Sequence, residues 1–517
     1  MNSYRILWAD DEIDLLKPHI IFLNSKGYDV TTVNNGADAL TIAAEKPFDL
    51  IILDENMPGL SGLETLTRIK DADPDVPVVM VTKNEEEDIM EQAVGSKIAD
   101  YLLKPLNPRQ LLSSVKKLLH SRELQSASAA NTYRSRFSEI TDSINRSTTP
   151  TDWEETYRIL TRWEIDLDST AADMAPLLEM QKNEADSAFT KFVRRNYQAW
   201  MKPGTPDRPT LSPDVFRRTV IPHLDSGEKV LFVLIDNFRF DQWRALRPLL
   251  TDSFDISEQM QWSILPTATQ YSRNAIFSGL MPESIAREFP ELWVDEDSPE
   301  SKNLNEEPLI AAQFARSGRK IKFSYTKIND GAAGDRLLRD LANLESNQLN
   351  VVVFNFIDML SHARTDSRMV RELAPTDAAY RSISLSWFRH SAAAELFRRA
   401  AEKSWRIVLT TDHGSIRVDT PVEVAGEKTT NTNLRYKLGR TLGYNPRRVM
   451  EIKQPRDFGL PSPQIATAYI FATGHDFFTY RHNQSHYVQL YSGSLQHGGI
   501  SMEEMLLPLI TLTPRKQ

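Results

Sequence analysis

Residues 351–362 read VVVFNFIDMLSH. Valine and phenylalanine at this density are typical of a buried strand, because β-branched and aromatic side chains pack well on a pleated surface. Asp358 is then expected at the carboxyl end of that strand, with His362 one helical turn further on. Two other apolar runs also end in an acid, EKVLFVLID (228–236) and WRIVLTTDHG (405–414). Helical stretches such as 382–403 lie between them, so the sequence predicts an α/β domain whose strands bring acids to one edge.

The composition sets limits on the rest of the chain. Its 517 residues suffice for about three domains. No apolar run is long enough to span a membrane, and MNSYRILWADDE has acids where a signal peptide is basic and then apolar. The sequence has no cysteine, which excludes disulfides, thiolate metal sites and cysteine nucleophiles. We therefore expect a cytoplasmic protein.

The net charge of -9 argues against a broad basic face for duplex DNA, although it leaves room for a nucleotide pocket. No helix-turn-helix pattern is evident, so direct promoter binding is not expected.

Three segments follow one another along the chain. Residues 1–121 alternate short apolar runs with amphipathic stretches, which predicts a doubly wound (βα)5 domain. Residues 122–210 have helical spacing and are expected to form a helical bundle linker, with helices at 130–146, 150–167 and 173–201. Residues 211–517 contain the acid-ending strands and form the second α/β domain. The five strands expected in the first segment are YRILWAD (4–10), DVTTV (29–33), FDLIILD (48–54), VPVVMVT (76–82) and IADYLLK (98–104). A helix is expected between each pair of consecutive strands, the last of these at 85–97, and a final helix at 107–120.

Particular side chains stand at the ends of those five strands. Asp10 and Asp11 follow the first strand, Asp54 ends the third, Thr82 the fourth and Lys104 the fifth. Ligands of open α/β sheets bind at the carboxyl ends of the strands. Carboxylates gathered there repel one another unless a hard cation such as Mg²⁺ is present. With Mg²⁺ and a lysine to offset charge, an aspartate can attack a phosphoryl group, and a threonine can hydrogen-bond the new phosphate.

This pattern resembles the receiver domain of bacterial response regulators over residues 1–121. The resemblance is carried by the acidic pair, LDENMPG around Asp54, Thr82 and the KP dipeptide at Lys104. It implies that a sensor histidine kinase phosphorylates Asp54, and that phosphorylation favours a homodimer. It implies Mg²⁺ bound by the acidic pair Asp10 and Asp11, by Asp54 and by the Asn56 carbonyl. Tyr101 stands at the family's switch aromatic, although an ordinary buried tyrosine fits that position equally well.

Nitrogen and oxygen ligands also gather in the second α/β domain. Asp236, Asp358 and Asp412 end its strands, His362 and His413 accompany the last two, and His497 follows the strand-like run YVQLY (487–491). Six such ligands at one sheet edge would form a binuclear metal site, for which zinc is the first choice and Mn²⁺ or iron an alternative.

A nucleophile is expected from WSILPTATQYSRNAIFSGLMP (262–282), which predicts a strand, a turn and a helix. Thr269 would stand near the helix N-terminus, where the helix dipole favours an alkoxide or a bound phosphate. Thr267 and Ser272 are rival candidates, and capping the helix is the more ordinary use of a threonine at this place.

The order Asp, Thr, Asp-x-x-x-His, Asp-His, His resembles the alkaline phosphatase superfamily, and most of all its PglZ-type branch. The motifs that carry this resemblance are LIDNFR, PTATQ, DMLSH, TDHGS and QHGG. It implies one zinc ion on Asp358, His362 and His497, a second on Asp236, Asp412 and His413, and Thr269 as nucleophile. Sulfatase activity is disfavoured, because sulfatases of this superfamily usually convert a cysteine.

The substrate is less well defined. Arg239 and Arg273 are candidates to bind a third phosphate oxygen, or else to form surface ion pairs. Residues 416–460 show no strong element and are expected to be either a solvated loop or a lid that meets a polyanion through basic and aromatic residues: Lys428, Arg435, Tyr436, Lys437, Arg440, Tyr444, Arg447 and Arg448. The resemblance to the alkaline phosphatase superfamily implies a phosphodiesterase for oligonucleotides or cyclic nucleotides, while the residues alone leave the substrate open.

The alternative is a non-enzymatic signalling adaptor with a structural zinc site that contacts a membrane sensor or a sigma factor. The three-domain combination resembles response regulators linked to type IX secretion in Bacteroidetes, which implies a secretion-system component as a further possible partner.

Overall fold

The structure is a computed structural model that describes residues 4–73, 76–82, 98–168, 174–202, 204–296, 298, 302–366, 374–426, 431–463, 466–480 and 484–515. The helix expected at 85–97 lies outside these ranges. The chain divides into two compact units, one built mainly from Met1–Thr132 and the other from Tyr133–Asp168 with Ala172–Gln517. Among the described residues, no helix combines the length and hydropathy that crossing a membrane requires.

The first unit is built on a parallel sheet with the strand order β2-β1-β3-β4-β5. The central strands β3 and β4 are buried throughout, as expected for a sheet with helices on both faces. All five strands lie within the predicted runs: β1 Arg5–Ala9, β2 Asp29–Val33, β3 Leu50–Asp54, β4 Val78–Thr82 and β5 Asp100–Leu103. Helices Lys17–Ser25, Gly36–Glu45 and Gly62–Ala72 connect them. The predicted doubly wound α/β fold is confirmed.

One helix of 39 residues, Pro108–Arg146, stands where we expected two. The predicted helices ended at His120 and began again at Ala130. No glycine or proline occurs after Pro108 within this helix, so no residue there breaks the backbone hydrogen bonding. Helices Pro150–Asp168 and Ala175–Trp200 follow, and their aromatic side chains pack against the C-terminal domain, as in the contact of Phe189 with Trp262.

The C-terminal domain has a six-stranded sheet with the order β7-β18-β10-β6-β9-β8. Strands β6, β8, β9 and β10 run parallel, and β18 runs antiparallel to both β10 and β7. The carboxyl ends of β7, β10, β6 and β9 therefore lie at one edge of the sheet. These strands are β6 Val230–Ile235, β7 Phe254–Trp262, β8 Phe323–Ile328, β9 Leu349–Phe354, β10 Arg406–Thr410 and β18 Leu506–Pro514.

The described part of residues 416–460 contains four short strands. The expectation that this segment lacks clear secondary structure is therefore wrong. Alternating apolar residues of this segment, Val422 and Val424, pack in a small core with Ile470 and Phe478. The strands between β10 and β18 are β11 Ile416–Arg417, β12 Thr420–Glu423, β13 Tyr436–Gly439, β14 Met450–Ile452, β15 Ala468–Phe471, β16 Asp476–Thr479 and β17 Leu495–Gln496.

Three element assignments from the sequence are wrong in detail. Strand β9 ends at Phe354, and Asp358 lies in the first turn of helix Phe356–Asp366 instead of at the strand end. The run YVQLY belongs to helix Gln484–Tyr491, where Val488 and Tyr491 pack on one apolar cluster, a helical spacing. The segment 382–403 forms two helices, because the backbone is extended at Ser391, whose hydroxyl caps the second helix.

Candidate active site

The receiver pocket is organised around Lys104. Its Nζ lies 2.8 Å from Asp10 Oδ2 and 3.1 Å from Asp54 Oδ1, and all three side chains are largely buried. Burial and the nearby charge of Asp10 raise the pKa of Asp54 to about 6, although Lys104 acts in the opposite direction. Burial disfavours the charged lysine, yet its two carboxylate partners hold the pKa of Lys104 above its ordinary value.

The remaining residues predicted for this pocket lie around it. Oxygen atoms of Asp10, Asp11 and Glu12 lie within 4.8 Å of one another and could hold a metal ion, whereas Asp54 is engaged by Lys104. Glu12 was not predicted. Thr82 is fully buried at the end of β4, and Asn56 is exposed in the loop after β3.

Tyr101 is half-buried on β5 and packs against one of the two hydrophobic clusters of the receiver. This position is compatible with either interpretation of Tyr101.

In the C-terminal domain, the first candidate metal group is formed by Asp358, His362 and His497. One ligand atom from each lies within 4.8 Å of the others. His362 Nε2 is 3.4 Å from Asp358 Oδ2, because both side chains lie on one face of the same helix. Burial raises the pKa of Asp358, but the hydrogen bond from His362 and the nearby imidazole of His497 hold that pKa below its usual range. The carboxylate therefore remains charged and able to bind a cation.

Backbone carbonyls fix the tautomers of the two inner histidines. His497 Nδ1 lies 3.1 Å from the Thr267 carbonyl, and His413 Nδ1 lies 3.1 Å from the Gly414 carbonyl. A carbonyl only accepts hydrogen bonds, so each Nδ1 carries the proton and each Nε2 keeps a lone pair. Burial, with His413 beside it, lowers the pKa of His497 to about 3. The His497 ring is therefore neutral, each ring directs Nε2 away from its carbonyl partner, and the two rings stack with centroids 4.0 Å apart.

A second candidate group shares Asp358 with the first. Asp236, Asp358 and His413 each place a ligand atom within 4.8 Å of the others. Asp236 Oδ1 is buried, has no hydrogen-bond partner among the described residues, and lies 3.7 Å from His413 Nε2. Burial and the charges of Asp412 and Asp358 raise the pKa of Asp236 well above its ordinary value despite Arg273. An unpaired carboxylate oxygen in such a place fits a bound cation, so the residues present are compatible with metal binding.

Asp412 lies beside this group, with its Oδ2 3.9 Å from His413 Nε2, but Arg273 binds that oxygen. The Arg273 guanidinium is fully buried, and it bonds Asp412 Oδ2 through Nε at 2.9 Å, Asp236 Oδ2 through a terminal nitrogen, and Glu306 at 3.3 Å. Arg239 is also buried and bonds Asp241 at 2.8 Å. The sequence-based alternative of surface ion pairs is wrong for both arginines, because the surrounding acids make their burial possible.

Thr269 is the first residue of helix Thr269–Ser278. The N-cap position belongs to Ala268, so the Thr269 side chain does not cap the helix. Its Oγ1 instead lies 3.1 Å from His413 Nε2. The hydroxyl is thus directed at the second candidate metal group, at the positive end of a helix dipole.

The two rival hydroxyls are engaged elsewhere. Thr267 is fully buried, donates to the Gly499 carbonyl at 3.0 Å and accepts from the Gly498 amide at 3.0 Å. Ser272 is also fully buried and lies 2.8 Å from Ser263 Oγ. These bonds give Thr267 and Ser272 structural positions in the fold.

Asn237 is a site residue that the sequence analysis missed. Its Nδ2 donates to Asp358 Oδ1 at 3.2 Å and to Ser361 Oγ at 3.1 Å. Its φ of 59° is rare for residues other than glycine and is best tolerated by asparagine and aspartate. The signal in the sequence was the asparagine in LIDNFR, directly after a strand-end acid.

The predicted basic lid is wrong for its central residues. Arg435 is fully buried and paired with Glu504 at 2.6 Å, and the buried Tyr436 donates to Glu296 at 2.7 Å. Lys437 is buried as well and donates to a backbone carbonyl. These groups stabilise the domain instead of facing a polyanion.

The outer residues of the proposed lid lie differently. Arg440, Arg447 and Arg448 are exposed, and Tyr444 is half-buried and donates to Glu451. Lys428 lies outside the described residues.

Comparisons with known proteins agree with this architecture. Family models match the response regulator receiver domain at residues 6–116, the PorX response regulator linker domain at 123–201, and the BREX system PglZ alkaline phosphatase-like domain at 215–512. The last match covers more than half of the chain.

Curated relatives and solved structures match the receiver part. The transcriptional regulatory protein PrrA of Mycobacterium leprae is 35% identical over 132 residues, which is 26% of this chain and 57% of the relative. A transcriptional regulatory protein of Bacillus subtilis, YkoG, is 35% identical over 121 residues, 23% of this chain and 52% of the relative. The chain thus spans little more than half the length of these relatives. The chemotaxis protein CheY4 of Vibrio cholerae is 28% identical, with a TM-score of 0.22, over 23% of this chain and all of that one.

The three matches follow one another in the order of the segments expected from the sequence. A receiver, a PorX linker and a PglZ domain in one chain match the arrangement of the PorX response regulators. The chain therefore belongs to the PglZ alkaline phosphatase-like family, as a two-component response regulator with a receiver domain.

Proposed function

We propose that the C-terminal domain is a dinuclear zinc phosphodiesterase that acts on oligonucleotides or cyclic nucleotides, and that phosphorylation of Asp54 controls it. The observation that carries the enzyme proposal is the position of Thr269. Its hydroxyl lies 3.1 Å from His413 Nε2, beside two candidate metal groups that share Asp358. Structural zinc sites are normally closed and need no hydroxyl aimed at them.

The proposed ligands divide between two metal positions. Asp358, His362 and His497 would hold one zinc ion, and Asp236, Asp412 and His413 the other. When bound, the zinc ions would offset negative charge on the attacking and departing oxygens. The orphan oxygen of Asp236 supports the second position. Asp412 has one oxygen bound to Arg273, so it would act through its second oxygen.

The residues of the chain supply the nucleophile and its orientation. The Thr269 hydroxyl faces His413 Nε2, whose tautomer is fixed by the Gly414 carbonyl. Because Nε2 would be the zinc ligand, the Thr269 proton would pass to solvent, and a zinc ion held there would favour the alkoxide. The Thr269 oxygen then forms a bond to phosphorus as one ester bond breaks, and the departing alcohol takes up a proton. Water hydrolyses the resulting threonyl ester and releases a phosphate monoester. The helix N-terminus favours the negative charge that develops on the phosphoryl oxygens.

The nearby arginines are already paired with carboxylates, which favours phosphodiesters over phosphomonoesters as substrates. A monoester carries one more charged oxygen, which monoesterases often bind with a cationic side chain. Arg239 and Arg273 are both buried and bound to carboxylates. A phosphodiester does not need this extra cation, so it is the better substrate class for this site.

The receiver provides the proposed regulation. Asp54 would accept a phosphoryl group from a sensor histidine kinase, with Mg²⁺ held by the acids around it, and the modified receiver would pair with a second copy. The PorX arrangement supports a role in type IX secretion, with a sigma factor or a secretion component as further partner. The observation behind the receiver proposal is the buried contact of Lys104 with Asp54.

The test is a substrate screen on the full-length chain with and without added zinc. Cyclic and linear oligonucleotides, a chromogenic diester and a chromogenic monoester are the substrates. We expect zinc-dependent cleavage of diesters and loss of turnover in Thr269→Ala. If the zinc-loaded chain cleaves no phosphoester, the enzyme proposal fails and a signalling adaptor with a structural zinc site takes its place.

A further inference from the structure

A cavity lies within the larger unit, between helix Ala175–Trp200 and the C-terminal domain. Its volume is about 470 Å³, within the usual range for small-molecule sites. One wall is the polar face of the helix, and the other is formed by loops around β12, β14 and β16. None of the proposed metal ligands and neither Thr269 nor Thr267 lines it, so it is distinct from the candidate active site.

Two buried polar atoms on the helical wall lack partners among the described residues. Asp186 is 1% exposed and Thr190 is 7% exposed, and both side chains line the cavity. Asp186 Oδ1 accepts from the Met502 amide at 2.9 Å, which fixes the carboxyl group, while its Oδ2 has no hydrogen-bond partner. Thr190 Oγ1 has none either. Unsatisfied buried groups are costly, so these atoms indicate a ligand with hydroxyl or amine groups at this depth.

The outer part of the cavity is cationic. Lys191 and Arg447 are exposed, and neither pairs with a carboxylate in the described parts of the chain. Arg448 lies beside them and is already bound to Asp476 at 2.7 Å. The exposed Asp419 lines the same cavity, but Lys191 and Arg447 form no ion pair with it, and two such cationic side chains at an open cavity suit a phosphate group.

The bottom of the cavity therefore offers hydrogen-bonding oxygen atoms, and its opening offers cationic side chains. Burial and the charge of Glu503 raise the pKa of Asp186 to about 7, so near neutral pH its carboxyl group can either donate to or accept from a hydroxyl. A ligand that fits both ends has a phosphate at one end and hydroxyl groups at the other.

We propose that this cavity binds a phosphate monoester whose organic part carries hydroxyl groups. The phosphate would lie against Lys191 and Arg447, and a hydroxyl group against Asp186 and Thr190. Nucleoside monophosphates and sugar phosphates share this chemistry. The proposal does not depend on the proposed hydrolase activity. Because Asp186 also bonds the Met502 amide, a ligand here would contact residues fixed to the segment that follows His497.

The experiment is isothermal titration of the full-length chain with adenosine monophosphate, ribose 5-phosphate, adenosine and inorganic phosphate. EDTA is present in one series, so that metal-dependent binding at the candidate active site is removed. We expect both esters to bind in the presence of EDTA, and adenosine and phosphate to bind at least about tenfold more weakly, since each lacks one half of the recognised chemistry. Comparable binding of both esters indicates a sugar phosphate site, and tighter binding of the nucleotide indicates contacts to the base.

Variants locate the binding on the chain. Lys191→Ala and Arg447→Ala should each weaken ester binding about five- to tenfold, as expected for loss of a charged hydrogen bond. Thr190→Val, which nearly keeps the side-chain shape, should weaken binding without lowering thermal stability. Arg195→Ala, on the exposed side of the same helix, is the control and should change nothing. The proposal is overturned if neither ester binds, or if binding is insensitive to Lys191, Arg447 and Thr190.

Discussion

Thr269 Oγ1 and His413 Nε2 lie 3.1 Å apart, although 144 residues separate them in the chain. The helix that contains Thr269 begins at the edge of the sheet where the strand that precedes His413 ends. Because His413 Nδ1 donates to the Gly414 carbonyl, Nε2 faces Thr269 with its lone pair. The Thr269 hydroxyl and the His413 nitrogen that would bind a metal ion therefore face each other directly.

Two threonine variants should separate the nucleophile from its neighbour. Thr269→Ala should abolish diester cleavage by more than about 10³-fold, since the nucleophile is lost while its surroundings remain. Thr267→Val should instead lower stability by about 1–3 kcal/mol, because the bonds to Gly498 and Gly499 are lost. Turnover and urea denaturation are the two measurements.

Thr269→Ser is the matched control, and it should keep substantial activity because it keeps a hydroxyl. Full activity of Thr269→Ala with complete loss in Thr267→Val would show that Thr269 is not the nucleophile.

Arg273→Met should destabilise the larger unit in a metal-dependent way. The substitution leaves Asp236, Asp412 and Glu306 buried without their cation, and breaking such a network costs about 3–5 kcal/mol. Added zinc should restore part of this loss, because a cation bound at Asp236 offsets the same charge. Tryptophan fluorescence during denaturation is a suitable probe, since Trp8 is the only tryptophan before residue 133.

The control for this variant is Arg287→Met, which removes the surface pairs of an exposed arginine with Glu283 and Glu288 and should cost less than about 1 kcal/mol. Equal stability of Arg273→Met and the unaltered chain in EDTA would contradict the role given to Arg273.

The sequence predicted the strand-end residues well, because one rule places them. In a parallel sheet, residues that follow buried strands meet at one edge, so Asp54 and Lys104 were predicted from local pattern alone. The same rule placed Asp236 directly after β6, whereas it failed for Asp358, which lies in the helix after β9. The YVQLY run was misassigned because a short apolar run fits either a helix or a strand. The domain boundaries at 121 and 210 remain predictions.

Other features of the site depend on contacts that no local pattern encodes. The three acids around Arg273 come from three separate places in the chain, so its burial could not be read from its neighbours in sequence. The sequence around Arg435 likewise predicts an exposed basic stretch, whereas in the structure Arg435 is buried against Glu504. Buried ion pairs of this kind are set by tertiary packing, and they remove residues from a candidate binding surface.

Phosphorylation of the receiver should depend on pH through Asp54. Its pKa is raised to about 6, so the carboxylate is mostly ionised at pH 7 and mostly neutral below pH 6. Only the ionised form attacks a phosphodonor, so modification by acetyl phosphate should fall as pH decreases from 7 to 5. The stability contribution of Asp54 has the opposite sign, since a raised pKa means that protonation favours the folded state.

Intact-mass analysis with Mg²⁺ present measures the modified fraction, with Asp54→Ala as the unmodified reference. Equal modification of the unaltered chain and Asp54→Ala would contradict the assignment of the phosphorylation site.

The phosphorylated receiver should form a dimer. The resemblance to receiver domains implies pairing through a face that includes β5, which lies at the sheet edge, and the helix that follows it. The helix expected at 85–97, which would also belong to this face, lies outside the described residues. Leu103 on β5 is 39% exposed, so its side chain is accessible to a second receiver. Beryllofluoride should double the mass in light scattering, and Leu103→Ser should weaken this dimer.

Leu15→Ser alters a more exposed leucine at another place on the receiver and serves as the control. An unchanged mass with beryllofluoride, at concentrations well above any plausible dissociation constant, would count against dimerisation.

His497→Ala should empty one metal position and leave the other occupied. His497 belongs to the group with Asp358 and His362, whereas the second group of Asp236, Asp358 and His413 does not include it. The zinc content measured by mass spectrometry should therefore fall by about half, and diester turnover should be lost because both ions are needed. Thr269→Ala should keep the full zinc content, since it removes no proposed ligand.

His486→Ala, on the exposed helix Gln484–Tyr491, is the control and should keep both zinc and turnover. If His497→Ala binds as much zinc as the unaltered chain, His497 is not a ligand and the first metal position needs another donor.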